Sequence, residues 1–363
     1  MACGRRAPAQ EKDDVLKIGN REIGLGHRPY LIAEMSGNHN QSLERALEIV
    51  DAAARSGADA IKLQTYTADT MTLDIRAPGF VIEDEGSLWA GRQLYELYQE
   101  AHTPWEWHKP IMERAASHGL HCFSTPFDDT ATDFLMSLDV PAFKIASFEC
   151  TDLPLIRKVA STGRPMIVST GMATLAEIDD AVRTARAAGC KDIVLLKCTS
   201  TYPATPENTN VRTIPHLREA FPGCEVGLSD HTMGCGAAAA AVAHGAVLIE
   251  KHFTLSRADG GVDSAFSLEP DEFRLLRVET ERAWQALGTV SYGVRPAEEK
   301  STAYRRSLYI ARDVKAGDVL SAENVRIIRP GFGLPPKFYD IVLGKRVRKD
   351  APVGTPVNWD LIG

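Results

Sequence analysis

The chain runs to 363 residues, 44% hydrophobic and 25% charged, the make-up of an ordinary globular protein with room for two domains or one large domain and an appendage. Its net charge of −7 argues against a general nucleic-acid binder, which needs a basic face, but leaves room for a small anion held by a few local cations. No stretch approaches about 18 apolar residues in a row, so no membrane span is expected. Seven scattered cysteines without a C-x-x-C pair suit reduced thiols in the cytoplasm.

The opening segment MACGRRAPAQEKDD is charged and lacks an apolar core, so residues 1–15 read as a disordered leader rather than a secretory signal. From residue 30 onward one unit recurs. Apolar, β-rich runs that end in polar residues occur at 30–35 (YLIAEM), 60–65 (AIKLQT), 120–126 (LHCFSTP), 142–147 (AFKIAS), 165–172 (PMIVSTGM), 192–200 (DIVLLKCTS), 225–230 (EVGLSD) and 248–253 (LIEKHF). They are continuous rather than alternating, as strands buried on both faces should be.

Helical patterns lie between most of these runs. SLERALEIVDAAARSG has 3,4-spaced apolar residues with Ser42 as N-cap, and ATLAEIDDAVRTARAAG pairs Thr174 with Glu177 in a capping box. Gly57 and Gly189 fall where such helices must stop. Eight strand–helix units predict an α/β fold, a (β/α)8 TIM barrel over residues 16–290. A doubly wound sheet would want a glycine-rich fingerprint after its first strand, and none follows.

The 54 residues between the second and third runs exceed an ordinary connection and predict an elaborated loop over the barrel mouth, where loops shape substrate choice. A linker at 291–302 and a small β-rich domain at 303–363 close the chain. That domain carries a faint repeat, DVKAGDVLSAENV from Asp313 and DAPVGTPVNWDLI from Asp350, each with Gly four residues after Asp.

Barrel chemistry sits at the C-terminal ends of strands. Here those ends supply Glu34, Asn38 and His39; Lys62 and Gln64; Ser124 and Thr125; Lys144 and Ser147; Ser169 and Thr170; Lys197, Ser200 and Tyr202; Ser229, Asp230 and His231; and Glu250, Lys251 and His252. Lysine is rarely buried unless paired, so Lys62, Lys144 and Lys197 in apolar runs, together with the hydroxyls, predict an anion site. His231 and His252 end consecutive strands at one level. They can share a divalent ion with water, act as acid and base, or simply hydrogen-bond.

Eight stretches in order, LIAEMSGNHNQ, AIKLQTYTADTM, FSTPFD, FKIASFE, IVSTGM, CTSTYPA, GLSDHT and EKHF, together resemble the sialic acid synthase family. Its members condense phosphoenolpyruvate with an N-acylated amino sugar and end in an antifreeze-like (SAF) domain, with RPGFGLP at the expected place. LWAGRQLYELYQEAHTPWEWH and SRADGGVDSAFSLEP are most similar to the branch that makes pseudaminic acid from a 2,4-diacetamido-2,4,6-trideoxyhexose. N-acetylneuraminic or legionaminic acid synthesis is the alternative within the family, and a non-catalytic carbohydrate-binding barrel the alternative outside it.

The resemblance implies that His231 and His252 hold a divalent metal (Mn2+, Mg2+ or Co2+). It implies that Lys62, Thr125, Lys144, Ser147, Ser169 and Ser229 hold phosphoenolpyruvate. Glu34 would stand beside the reacting carbons, and Tyr202 and Asp263 would face the sugar. Arg329 would reach an N-acyl group in the barrel of a partner subunit, within a domain-swapped homodimer. Ser200 in TSTY and Val262 in GVD depart from the sialic acid synthase pattern, both on the sugar side.

Overall fold

The eight apolar runs become eight parallel strands in a computed structural model of the chain, which describes residues 15–363. The strands are β1 (Tyr30–Glu34), β2 (Ala60–Thr65), β3 (His121–Pro126), β4 (Phe143–Ile145), β5 (Met166–Ser169), β6 (Ile193–Cys198), β7 (Cys224–Asp230) and β8 (Leu248–His252). Each pairs with its neighbour in the chain, and β8 pairs with β1 to close the barrel. Several strands stop short of their apolar run: β4 ends at Ile145 rather than 147, and β5 at Ser169 rather than 172. Beyond β5, Thr170 still donates to the Leu196 carbonyl at 2.9 Å before the chain turns at Gly171. The leader expected over 1–15 falls outside the described residues, apart from Val15.

Local chemistry explains where the helices begin and end. The Ser42 side chain accepts from the Arg45 N–H to start helix Leu43–Arg55, and Thr174 with Glu177 forms the expected capping box of helix Leu175–Ala187. Gly57 (φ 87°) and Gly189 (φ 102°) stop those helices in a conformation that Cβ-bearing residues resist. The alanine-rich segment between the two histidines is helix Gly236–Ala243. The final barrel helix, Pro270–Leu287, is tied to the opposite end of the barrel by Arg277, which bonds the carbonyls of Gly57 and Pro29 and the carboxylate of Asp59.

The long β2–β3 connection folds as a separate layer. It contains helix Ala68–Met71, a bridge pairing Val81 with Gln93, and helix Leu94–Ala101, before the barrel helix Trp105–Ser117. Cys122, Cys150, Cys190, Cys198 and Cys224 are buried and free.

Residues Thr289–Gly363 form a second compact unit. Its antiparallel pair, β9 (Ser307–Ile310) and β10 (Val325–Ile328), packs on a core that includes Leu308, Ile310, Leu320, Val342, Val347 and Val357. The sequence repeat becomes a local two-fold. Asp313 accepts from the Val353 N–H at 2.7 Å, and Asp350 accepts from the Ala316 N–H at 2.9 Å. Val314 and Ala351 exchange backbone bonds of 3.0 and 2.9 Å. Gly317 donates to Val347 O and Gly354 to Ile310 O, both at 2.8 Å. Each mate lies one repeat away, 37 residues (350 − 313 = 37). Two short copies thus satisfy each other's backbone groups, which neither could do alone.

Candidate active site

Barrel closure sorts the polar strand ends by parity. Register sets Glu34 opposite both Lys62 and His252, Gln64 opposite Thr125, and Glu250 opposite Ser229. Lys62 Nζ lies 2.6 Å from a Glu34 oxygen, 3.9 Å from Glu250, and donates to Thr125 Oγ1 at 3.2 Å. Lys144 Nζ lies 3.6 Å from Glu250 and donates to Ser169 Oγ at 2.7 Å. Ser229 donates to Glu250 at 3.1 Å. Two buried ammonium groups thus face two buried carboxylates, ringed by hydroxyls.

The carboxylates differ in character. Burial pushes Glu34 up to about 7, because the attraction of Lys62 only partly offsets lost hydration and Glu250 repels it. Burial also works against ionised Glu250, but Lys144 and Lys62 outweigh it and hold that carboxylate below its ordinary value. For Lys62, burial is overcome by Glu250 and Glu34, which keep it above its ordinary value; Lys144 falls below, mainly through burial.

The two histidines sit at the rim of this layer, with ring centroids 5.4 Å apart. His231 Nδ1 meets the Thr199 carbonyl at 2.9 Å, which assigns its proton there and leaves Nε2 a lone pair. His252 Nδ1 is buried and has no hydrogen-bond partner among the described residues; the nearest carboxylate, Asp263, is 3.8 Å away. Burial holds both imidazoles below their ordinary value, and for His252 the neighbouring His231 and lysines add to it. Both are therefore neutral near pH 7.

Asp263 is fixed by Ser36, a residue in the left-handed region (φ 48°) whose hydroxyl donates to it. Gln64 Nε2 donates both to Glu34, at 2.9 Å, and to Ser36 Oγ, at 3.1 Å. One side-chain amide therefore ties the lysine pocket to the Asp263 side. Burial pushes Asp263 up to about 6, tempered by Ser36 and the Gly37 N–H. The Tyr202 ring lies tilted against His231 and Phe266, with centroids 4.5 and 5.3 Å away. Ser147 accepts from Ser200 Oγ at 2.9 Å. Gly171 is where the backbone needs glycine: φ is +46°, and a Cβ would stand 2.5 Å from Ser147 Cβ and 2.7 Å from Ser200 Oγ.

Eleven of the twelve residues to which the resemblance assigns a role lie in the barrel unit: Glu34, Lys62, Thr125, Lys144, Ser147, Ser169, Tyr202, Ser229, His231, His252 and Asp263. Arg329 is exposed, just beyond β10 in the second unit. Other strand-end polar groups serve structure. Lys197 bonds the Cys198 carbonyl and Thr199 hydroxyl instead of joining the other two lysines. Lys251 pairs with Asp230 at 2.9 Å, and Asn38 bonds the Phe253 carbonyl and Ser267. The importance of Glu250 is not evident from its motif, although its two-residue spacing from His252 puts it on the same face. Ser36 and Trp89 lie within quoted stretches, but nothing in those stretches marks the contacts they make.

Beside the histidines opens a cavity of about 420 Å3. Gln64, Tyr202, His252 and Asp263 line one side, and the β2–β3 insertion lines another. The loop expected over the mouth is therefore a wall of the site. Among the described residues, no group of three or more His, Cys, Asp or Glu is arranged to hold a metal ion, and no helix is long and apolar enough to cross a membrane.

Residues 49–292 match the NeuB family model, and residues 305–363 match the SAF domain. A pseudaminic acid synthase of Campylobacter jejuni is 45% identical over 339 residues, covering 93% of this chain and 97% of the relative. One from Helicobacter pylori is 42% identical over 333 residues, covering 92% and 97%. The crystal structure of the spore coat polysaccharide biosynthesis protein SpsE of Bacillus subtilis superimposes with a TM-score of 0.66 at 33% identity, covering 96% of this chain and 99% of that one.

Proposed function

The chain belongs to the NeuB family, and from that premise we propose that it condenses phosphoenolpyruvate with a 2,4-diacetamido-2,4,6-trideoxyhexose, giving pseudaminic acid and inorganic phosphate. The observation that carries the acceptor is near full-length identity of 42–45% to pseudaminic acid synthases. The observation that carries the reaction is the pair of buried lysines, Lys62 and Lys144, facing the carboxylates of Glu34 and Glu250.

In this reading Lys62, Lys144, Thr125, Ser147, Ser169 and Ser229 take the phosphate and carboxylate of phosphoenolpyruvate with charge-assisted bonds. An arriving anion competes with Glu34 for Lys62. Because the Glu34 carboxyl sits at about 7, it gives up its charge at little cost, and Lys62 turns to the ligand. Once C3 of phosphoenolpyruvate has attacked the sugar aldehyde, C2 becomes cationic. Glu34, its proton given to the alkoxide oxygen that this attack creates, is then placed to stabilise that carbon and take the proton of the water that adds to it. Phosphate then departs with C–O cleavage, its negative charge held by the two lysines. Tyr202 and Asp263 orient the acceptor.

The donor set also suits a divalent cation, Mn2+, Mg2+ or Co2+, held by His231 and His252. Support comes from the free Nε2 lone pair of His231, set by the Thr199 carbonyl, and from the unpartnered Nδ1 of His252. When bound, such a cation supplies Lewis-acid polarisation of a carbonyl oxygen. On the resemblance alone we also place the protein in the cytoplasm, as a homodimer in which Arg329 serves the sugar end of a partner's barrel.

The test is to supply phosphoenolpyruvate with a panel of mono- and diacetamido sugars, following phosphate release and product mass. Phosphate release with the diacetamido-trideoxy sugar, and a product of the combined mass less phosphate plus water, is expected. Absence of phosphate release with every acylamino sugar would sink the proposal.

A further inference from the structure

The cavity beside the histidines combines hydrogen-bonding groups with a cluster of aliphatic side chains. The strand ends and loops of the barrel bring hydrogen-bonding groups to it, among them Gln64, Glu149, Tyr202, His252 and Asp263, beside the rings of Phe127 and Phe148. The β2–β3 insertion brings Met71, Ile82, Leu94 and Leu97, with the Tyr66, Tyr98 and Ser87 hydroxyls as its polar contributions. Leu97 is 7% exposed, whereas Met71, Ile82 and Leu94 are half-buried. One contact latches the insertion across the mouth. The Trp89 indole N–H donates to the Val262 carbonyl at 2.9 Å, and its ring lies 6.0 Å from Tyr202 and 6.5 Å from Phe266. Trp89 therefore bridges the insertion to the loop that carries Asp263, one residue past its acceptor carbonyl.

We propose that this insertion is the specificity element of the site: latched by Trp89, its aliphatic wall takes the end of the acceptor remote from the aldehyde and selects a methyl-terminated, deoxygenated sugar. The inference rests on the acceptor class proposed above and adds which residues choose it. The physical reason is one of unpaired groups. A terminal hydroxyl pressed against Met71, Ile82, Leu94 and Leu97 loses its water and finds no donor or acceptor on those side chains. A methyl group in the same place loses nothing and gains contact. A hydrophobic pocket of this kind rejects an added hydroxyl by about 10–100-fold, not by the far larger factors of a hydrogen-bonding site.

The test measures kcat/KM for two acceptors, the 2,4-diacetamido-2,4,6-trideoxy sugar and its 6-hydroxy counterpart, together with KM for phosphoenolpyruvate. Wild type is expected to favour the deoxy sugar by about 10–100-fold. Leu97→Asn, which puts a hydrogen-bonding group into the wall, should cut that ratio by about tenfold or more without moving KM for phosphoenolpyruvate. Trp89→Phe keeps the ring but loses the latch. It should lower the ratio by a smaller factor and raise KM for the sugar, so the proposal does not hang on the folding of one variant. If wild type turns over both sugars equally well, the reaction stands and the wall is refuted. The wall is refuted equally if both variants keep the wild-type ratio. If wild type turns over neither sugar, the acceptor reading itself fails and takes the wall with it.

Discussion

Replacing Glu250 by Gln separates stability from ligand affinity. Its carboxylate lies 3.6 Å from Lys144 Nζ and 3.9 Å from Lys62 Nζ, and accepts from Ser229 at 3.1 Å. At an effective dielectric of about 20, each ion pair is worth about 4–5 kcal/mol of gross attraction. Burying the carboxylate consumes several kcal/mol of that sum, so removing the charge, which strands Lys144 and leaves Lys62 with Glu34 alone, should cost about 3–5 kcal/mol. At roughly 2 °C per kcal/mol for a domain this large, the unliganded melting temperature should fall by about 5–10 °C. Phosphoenolpyruvate restores negative charge to the same lysines. Its stabilising shift, read by thermal melts across a ligand series, should therefore be larger in the variant than in wild type, even as turnover falls. A variant with an unchanged melting temperature and an unchanged ligand shift would refute the assignment of Glu250 as the counter-ion of the anion site.

Three further outcomes follow from the same geometry. Glu34 is raised from 4.5 to about 7, so its stability contribution is complete below 4.5 and is lost as pH rises through about 7. Glu34→Gln should thus gain stability relative to wild type between pH 5 and 8, and lose at least about 100-fold in kcat; melting curves that stay parallel across that range would contradict the shift. His231→Ala and His252→Ala should each abolish binding of added Mn2+, followed by its paramagnetic resonance signal, along with turnover. Retention of binding by both would remove the histidine pair as ligands. Gly171→Ala, strained by its positive φ and by its approach to Ser147 and Ser200, should raise KM for phosphoenolpyruvate about tenfold while the barrel still folds; an unchanged KM would mean that the Ser147 hydroxyl is not part of the anion site.

Much of this molecule is written locally. The order of the eight strands, the capping of helices by Ser42 and Thr174, and the helix stops at Gly57 and Gly189 depend on neighbours a few residues away. So does the resemblance to the family, because the motifs are contiguous stretches at successive strand ends. The two-fold in the second unit is half visible in the same way, as a repeat without a partner; the structure supplies the pairing of Asp313 with Val353 and of Asp350 with Ala316.

Which polar side chains share the site is decided elsewhere. A strand buried on both faces gives no local sign of which parity points into the barrel, so Lys62, Lys144, Lys197 and Lys251 look alike in sequence. Only closure puts the first two against Glu250 and leaves Lys197 on nearby loop oxygens and Lys251 on Asp230. Ser36 and Asp263 are 227 residues apart, and Trp89 and Val262 are 173 apart. No periodicity reports such pairs, because they exist only once β8 returns to β1 and the mouth closes over its ligand space. The sequence by itself determined the reaction's ingredients; the tertiary structure alone decided which of them meet, since burial and charge act through space and not along the chain.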